Sequence, residues 1–175
     1  MSRPDPSAAP SLRRPALLPT ATDLAADEVR AVENAVNPLI ADALALYIKT
    51  KGFHWHVTGP HFRDWHLMLD EHAEQLLDAV DPLAERVRKL GGATLRSVGH
   101  VARLTAVADA DEPLPPSRML AELLADNRRM AEAQREAIAI CSRSRDEPTS
   151  NILQELLDAT ERRVWFLFAM TREEA

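Results

Sequence analysis

The sequence has little of what a secreted, membrane-spanning or nucleic-acid-binding protein usually contains. Cys141 is the single cysteine among 175 residues, so no intrachain disulfide can form and a reducing compartment, the cytoplasm, is expected. No apolar run reaches the ~18 residues that a membrane span needs, and no secretory signal is expected in the first 20 residues. Basic residues number 21 against 27 acidic ones, and the net charge of −6 argues against a dedicated nucleic-acid binder.

Glycine is scarce and proline is unevenly distributed. There are only five glycines, and five of the 12 prolines lie within residues 1–20. A segment of this composition buries too little apolar surface to order itself, so we interpret residues 1–20 as a flexible tail. Residues 21–175 then form one domain, which is large enough to fold without a disulfide or a structural metal.

The rest of the chain shows apolar residues at the three- and four-residue spacing of amphipathic helices, and no convincing period-two strand. Pro38 is expected to bend the first helix or start it afresh, and Gly91-Gly92 closes the second. A short helix over Ser97–Leu104 is expected in the long crossover between the second and third helices. We therefore predict an all-α, ferritin-like four-helix bundle. The four long helices are expected to begin near Thr22, at residue 61, after a Ser117 cap and at Thr149.

Five of the six histidines lie within a stretch of 19 residues that is also rich in carboxylates. Imidazole together with carboxylates is a ligand set that suits Fe(II), and also Zn(II) or Mn(II). This stretch is therefore the first candidate for metal binding. Its histidines are His54, His56, His61, His66 and His72.

Four residues of the second helix share one face. With His66 at 0°, Asp70 falls at about 40° on a helix that turns ~100° per residue. Asp81 falls at about 60° and Glu85 at about 100° on the same scale. The two i, i+4 pairs, His66 with Asp70 and Asp81 with Glu85, each place two side chains on adjacent turns.

The rise of the helix separates these two pairs. Asp70 and Asp81 are 11 residues apart in the sequence, which is about 16 Å along a helix. Ligand atoms lie about 2 Å from a metal ion, so the pairs cannot serve one site within one chain. Either the pairs are unrelated, or a second copy of the helix runs antiparallel across a two-fold axis near Gln75–Leu76. We favour the second arrangement, which creates two identical intersubunit sites roughly 22 Å apart.

A metal centre inside the bundle is disfavoured. Di-iron carboxylate bundles use a Glu-x-x-His motif from each of two helices. No glutamate of this sequence is followed by a histidine three residues later.

Several short motifs with fixed spacing follow one another over some 42 residues and resemble the Dps family, the mini-ferritins. The resemblance continues more loosely over residues 24–170. The motifs are Lys51-x-x-His54-Trp55, a Gly59-x-x-Phe62 turn, His66-x-x-x-Asp70, and Asp81-x-x-x-Glu85-Arg86 before Leu90-Gly91-Gly92.

The resemblance implies a hollow dodecamer with ferroxidase sites at its two-fold interfaces. Such proteins oxidise Fe(II) to Fe(III), preferably with hydrogen peroxide and less well with O2, store ferric mineral and so protect the cell from oxidative damage. The implied ligands are His54, His66 and Asp70 of one subunit with Asp81 and Glu85 of its partner.

Further residues have two interpretations each. Lys51 is a hydrogen-bonding partner of the carboxylates or a surface lysine, and Glu74 is close to the ligands or part of an interface ion pair. Trp55 absorbs a stray oxidising equivalent or packs at the interface. Cys141, on an apolar stripe, is expected in the core, as are Trp65 and Met68. Three further histidines, His56, His61 and His72, do not match the ligand positions of the family. Three aspartates either line an acidic pore for iron entry or lie on a solvated surface: Asp126, Asp146 and Asp158.

Two other functions remain open. One is a nucleoid-associated, DNA-protecting structural protein, although the tail offers only Arg3, Arg13 and Arg14 for phosphate contacts and the whole chain has three lysines. The other is a cage that buffers Zn(II) or Mn(II) without redox turnover.

Overall fold

The computed structural model describes residues 20–110 and 112–172, so the predicted tail lies outside the described residues except for Thr20. The described part is all-helical, which confirms the predicted four-helix bundle. The helices are α1 (Ala26–His56), α2 (Phe62–Asp78), α3 (Val80–Lys89), α4 (Val98–Leu104), α5 (Pro116–Arg143) and α6 (Glu147–Thr171).

The second long helix is confirmed, but Pro82 interrupts it at one residue. A proline ring crowds the carbonyl four residues earlier and removes one hydrogen bond, and α2 ends at that residue, Asp78. Ala79 has right-handed helical angles (φ −72°, ψ −21°) before α3 begins. Because the backbone stays near-helical, residues of α2 and α3 keep nearly the same faces across the break.

Pro38 does not start the first helix afresh, because α1 runs through it as one element. The carbonyl that the proline leaves without a partner belongs to Asn34, an exposed residue that water can reach. Val36 and Ile40 on either side are almost fully buried. Packing of these flanking turns therefore holds the helix together.

A serine, a proline and an aspartate mark the starts of α4, α5 and α6. Ser97 accepts a hydrogen bond from the backbone N–H of His100 (3.2 Å), which confirms the predicted crossover helix α4. The predicted Ser117 cap is wrong, because α5 already begins at Pro116. α6 begins two residues before the predicted Thr149, whose N–H is bound by the Asp146 side chain (3.3 Å). Proline suits a first helical turn because its missing N–H is not needed there.

The core consists of two clusters of buried apolar residues. One is built around Leu46, Leu69 and Leu76, and the other around Ile40 and Cys141. Cys141 is fully buried, and burial raises its thiol pKa to about 12, so this cysteine is a core residue as predicted. None of the described helices has the length and hydropathy needed to cross a bilayer.

Candidate metal centre

Two histidines from different helices meet where α1 ends and α2 begins. His54 lies in the last turn of α1, and His66 lies in the second turn of α2. Their rings stack with centroids 3.7 Å apart and planes inclined by 20°. Residues 57–61 reverse the chain between the helices, and Gly59 takes a positive φ of 109° that suits glycine. The turn therefore brings together two side chains that are 12 positions apart.

Backbone carbonyls set the tautomer of both rings. Nδ1 of His54 lies 2.8 Å from the carbonyl oxygen of His66, and Nδ1 of His66 lies 2.9 Å from the carbonyl oxygen of His54. A carbonyl can only accept, so each Nδ1 carries the proton. The Nε2 lone pair of each neutral ring is then available to a metal ion, as in many metal-binding histidines.

Asp70 extends this pair by one turn of α2. The ammonium group of Lys51, one turn before His54 on α1, donates a hydrogen bond to the Asp70 carboxylate. This contact lowers the pKa of Asp70 below its usual value. The carboxylate is therefore held ionised. Of the two interpretations of Lys51, the structure agrees with a hydrogen-bonding partner of a carboxylate.

Asp81 and Glu85 lie on the outside of α3. Both are exposed, and Lys89 forms an ion pair with Glu85 (Nζ to Oε2, 2.9 Å). The i, i+4 spacing of Glu85 and Lys89 is a sequence signal from which this pair could have been predicted.

One chain does not bring the five predicted residues together. Within residues 20–110 and 112–172, no group of three or more His, Cys, Asp or Glu side chains is placed to hold a metal ion. The structure thus joins His54, His66, Asp70 and Lys51 at one end of α2, and leaves Asp81 and Glu85 on α3.

The neighbouring candidates have distinct positions. Trp55 is 65% exposed and Glu74 is exposed on α2, while Trp65 and Met68 pack against the core as expected. The three other candidate histidines have different surroundings. The ring of His56 contacts the carbonyl of Gly52 (2.7 Å), exposed His61 lies 5.4 Å from the Trp65 ring, and His72 is buried.

Two of the three pore candidates are neutralised inside the subunit. Asp126 is 3% exposed and accepts hydrogen bonds from Lys49 (2.9 Å) and Arg129. Asp146 is 2% exposed, accepts from Arg86 (2.7 Å) and caps α6. These two aspartates belong to subunit packing, so both of their interpretations, an acidic pore and a solvated surface, are wrong. Asp158 is exposed, and its interpretation stays a prediction.

A polar cluster in the bundle interior was not predicted from the sequence. Arg163 of α6 is 3% exposed, and its guanidinium donates to Asn127 (2.8 Å) and Thr160 (2.8 Å). A longer contact reaches Gln75 of α2 (3.3 Å), and no described carboxylate forms an ion pair with Arg163. Burial lowers the pKa of Arg163 to about 10. The available signal was the position of Arg163 on the apolar stripe between Thr160 and Leu167.

Known proteins share this arrangement of helices. A family model described as a ferritin-like domain matches residues 33–174. A low temperature-induced protein of Nostoc sp. is 35% identical over 147 residues, covering 81% of this chain and 80% of that protein. The DNA protection during starvation protein of Halobacterium salinarum is 35% identical over 131 residues, covering 74% of this chain and 72% of that protein.

Solved structures agree with these sequence matches. DpsC from Streptomyces coelicolor superposes with a TM-score of 0.86 at 28% identity, covering 91% of this chain and 94% of that one. An archaeal Dps homologue from Halobacterium salinarum has a TM-score of 0.82 at 30% identity, covering 86% of this chain and 84% of that one.

Proposed function

Because this chain belongs to the Dps family of the ferritin-like superfamily, we propose that it is an iron-storage protein that oxidises Fe(II) at sites shared by two subunits. Iron is the substrate and the stored cargo. The oxidant is hydrogen peroxide in preference to O2, and the assembly is a hollow dodecamer in the cytoplasm that holds ferric mineral.

The observation that carries this proposal is the reciprocal hydrogen bonding of His54 and His66. In each ring the carbonyl contact at Nδ1 leaves Nε2 as the nitrogen that can face iron, and Asp70 lies one turn along α2 from His66. Orienting the rings costs nothing further when iron binds, because both Nδ1–H groups are already bound to carbonyls. Nitrogen and carboxylate ligands together suit Fe(II).

The partner subunit supplies Asp81 and Glu85 in this proposal. A two-fold axis near Gln75–Leu76 brings these carboxylates of one copy to the histidines of the other. Apolar residues on the same outer face of α2 support such an interface. Leu67 is 50% exposed and Leu77 is 44% exposed, and they lie at about 100° and 20° on the wheel that has His66 at 0°.

The chemistry follows from the ligand types. Carboxylate oxygens are hard donors that stabilise Fe(III), and in this proposal Glu85 bridges two irons. Two Fe(II) ions beside one hydrogen peroxide molecule release two electrons together. The two Fe(II) ions become Fe(III), and hydrogen peroxide with two protons becomes two water molecules. Hydroxyl radical is then not released. Lys51 and Lys89 hold Asp70 and Glu85 in place.

A stopped-flow experiment tests the proposal. Metal-free protein is loaded with Fe(II) without oxygen and mixed with hydrogen peroxide or air-saturated buffer, while the ferric absorbance is recorded. We expect rapid growth that is faster with peroxide and is lost in Asp81→Ala. Asp64→Ala, which removes an exposed carboxylate of α2 away from the ligand face, is the matched control and should behave like the wild type.

Rapid oxidation in Asp81→Ala would contradict the site assignment. Tight anaerobic metal binding without oxidation would instead support the buffering of Zn(II) or Mn(II). Direct DNA binding is the other alternative, and three similar proteins are named for DNA protection. Removal of Fe(II) and peroxide would itself protect DNA, without contact between the protein and the duplex.

A further inference from the structure

Lysine is scarce in this chain, and each lysine forms an ion pair with a carboxylate. Only three of the 21 basic residues are lysines, and the others are arginines. The pairs are Lys49 with Asp126, Lys51 with Asp70, and Lys89 with Glu85. Two of these three carboxylates are proposed iron ligands, one in each half of the proposed site.

The Lys89 pair differs from the Lys49 pair in burial. The side chains of Lys49 and Asp126 are 7% and 2% exposed, so this pair is fixed inside the subunit. The side chains of Lys89 and Glu85 are 59% and 57% exposed, and Nζ lies 2.9 Å from Oε2. An exposed i, i+4 ion pair is weak, because water solvates both charges. Lys89 can therefore leave Glu85 at little cost in free energy.

The other proposed ligand on α3 has no such cation beside it. Asp81 is exposed and forms no ion pair within 4.0 Å with a described residue. A metal ion thus meets a bare carboxylate at Asp81 and an ammonium group at Glu85. An ammonium group has no lone pair with which to bind a metal ion, and its positive charge repels one. Iron and Lys89 therefore compete for the Glu85 carboxylate.

We propose that Lys89 is a built-in competitor that sets the iron affinity of Glu85. Its ammonium group holds the carboxylate while the site is empty, and moves away on its flexible side chain when Fe(II) binds. An arginine would leave less readily, because its planar guanidinium binds a carboxylate through two hydrogen bonds. With Lys51 on Asp70, the two lysines leave the three carboxylates of the empty site with one net negative charge, so the two halves repel each other less. This inference rests on the proposed function, because it takes Glu85 as an iron ligand.

Binding of Co(II) to the metal-free, full-length protein tests the proposal without redox turnover. Co(II) follows Fe(II) in the order of affinities for nitrogen and oxygen ligands, and isothermal titration calorimetry at low salt measures its dissociation constant. Lys89→Gln removes the ammonium charge and keeps a polar side chain, so we expect Co(II) to bind at least about three-fold tighter. Lys89→Arg keeps the charge, so we expect no tightening. The difference between Lys89→Gln and the wild type should shrink at high salt, because salt screens exposed charges.

Arg143→Gln is the matched control, because it removes one exposed positive charge at the end of α5. It should bind Co(II) like the wild type. Equal tightening in this control, or unchanged or weaker binding in Lys89→Gln, would overturn the role of Lys89. Asp81→Ala separates this outcome from the proposed function, because it should lose tight Co(II) binding whether or not Lys89 competes. Tight Co(II) binding that survives in Asp81→Ala would overturn the proposed site, and the role of Lys89 with it.

Discussion

His66 and His72 lie six residues apart on α2, but their rings face different surroundings. Half-buried His66 stacks on His54, which is 8% exposed, and its Nδ1 contacts the carbonyl oxygen of His54. His72 is 4% exposed, and burial together with the positive charges of Arg163 and Arg162 lowers its pKa to about 4. The Arg163 cation thus lies beside His72 in the bundle interior, whereas the Asp70 carboxylate and the His54 imidazole lie beside His66.

The comparison indicates where metal ions can bind. An uncompensated guanidinium repels Fe(II), and the neutral amides and hydroxyl around Arg163 offer no anionic ligand. The outer face combines Asp70, held ionised by Lys51, with two nitrogen donors. This contrast favours metal binding at the His66 side of α2 over the bundle interior, consistent with the missing Glu-x-x-His motif.

Replacing each of the two histidines in turn gives the largest expected difference, which is in the rate of Fe(II) oxidation. We expect His66→Ala to slow rapid Fe(II) oxidation by more than about 100-fold, because it removes a proposed iron ligand, and loss of even a ligand's hydrogen-bonding partner typically costs about 10- to 100-fold. His72→Gln should leave the rate unchanged. Stopped-flow traces with peroxide measure both, and a slowed His72→Gln with intact assembly would break the distinction between the two faces.

Arg163→Ala tests how much the buried polar cluster on the interior side contributes to stability. Truncation leaves a cavity and removes the donor to Asn127 and Thr160, so we expect the free energy of unfolding to fall by about 3 kcal/mol. Arg162→Ala, at the exposed neighbouring position, should change it by less than about 0.5 kcal/mol. Urea unfolding at fixed protein concentration measures both. Equal effects would mean that the buried cluster contributes no special stability.

The pH dependence of stability gives the smallest expected effect. The folded pKa of His72, about 4, lies below the ordinary histidine value of 6.5, so the unfolded state binds more protons between these values. Stability is complete above pH 6.5 and is lost as the pH falls toward 4. We expect a loss of about 2 kcal/mol between pH 7 and pH 5.

His72→Gln should remove this part of the pH dependence, while His61→Gln, at an exposed position, should retain it. The measurement is the urea midpoint at the two pH values. An unchanged slope in His72→Gln would show that other groups set the acid sensitivity.

The helices and the face that carries the candidate ligands were predictable from local patterns. Apolar spacing and Gly-Gly or proline positions located the four long helices and α4. The spacing of 11 positions from Asp70 to Asp81 already separated the two candidate ligand pairs, because the rise per residue is the same in every α-helix. Local geometry was sufficient for these features.

Other features depended on which side chains meet across helices. Only the packed structure placed the carbonyls of His54 and His66 against each other's rings, and it buried Asp126 and Asp146 against cations. Periodicity assigns a residue to a face but does not identify its partner. For the same reason Arg163 was overlooked, since a charged residue on an apolar stripe is stable there only when tertiary contacts supply its acceptors.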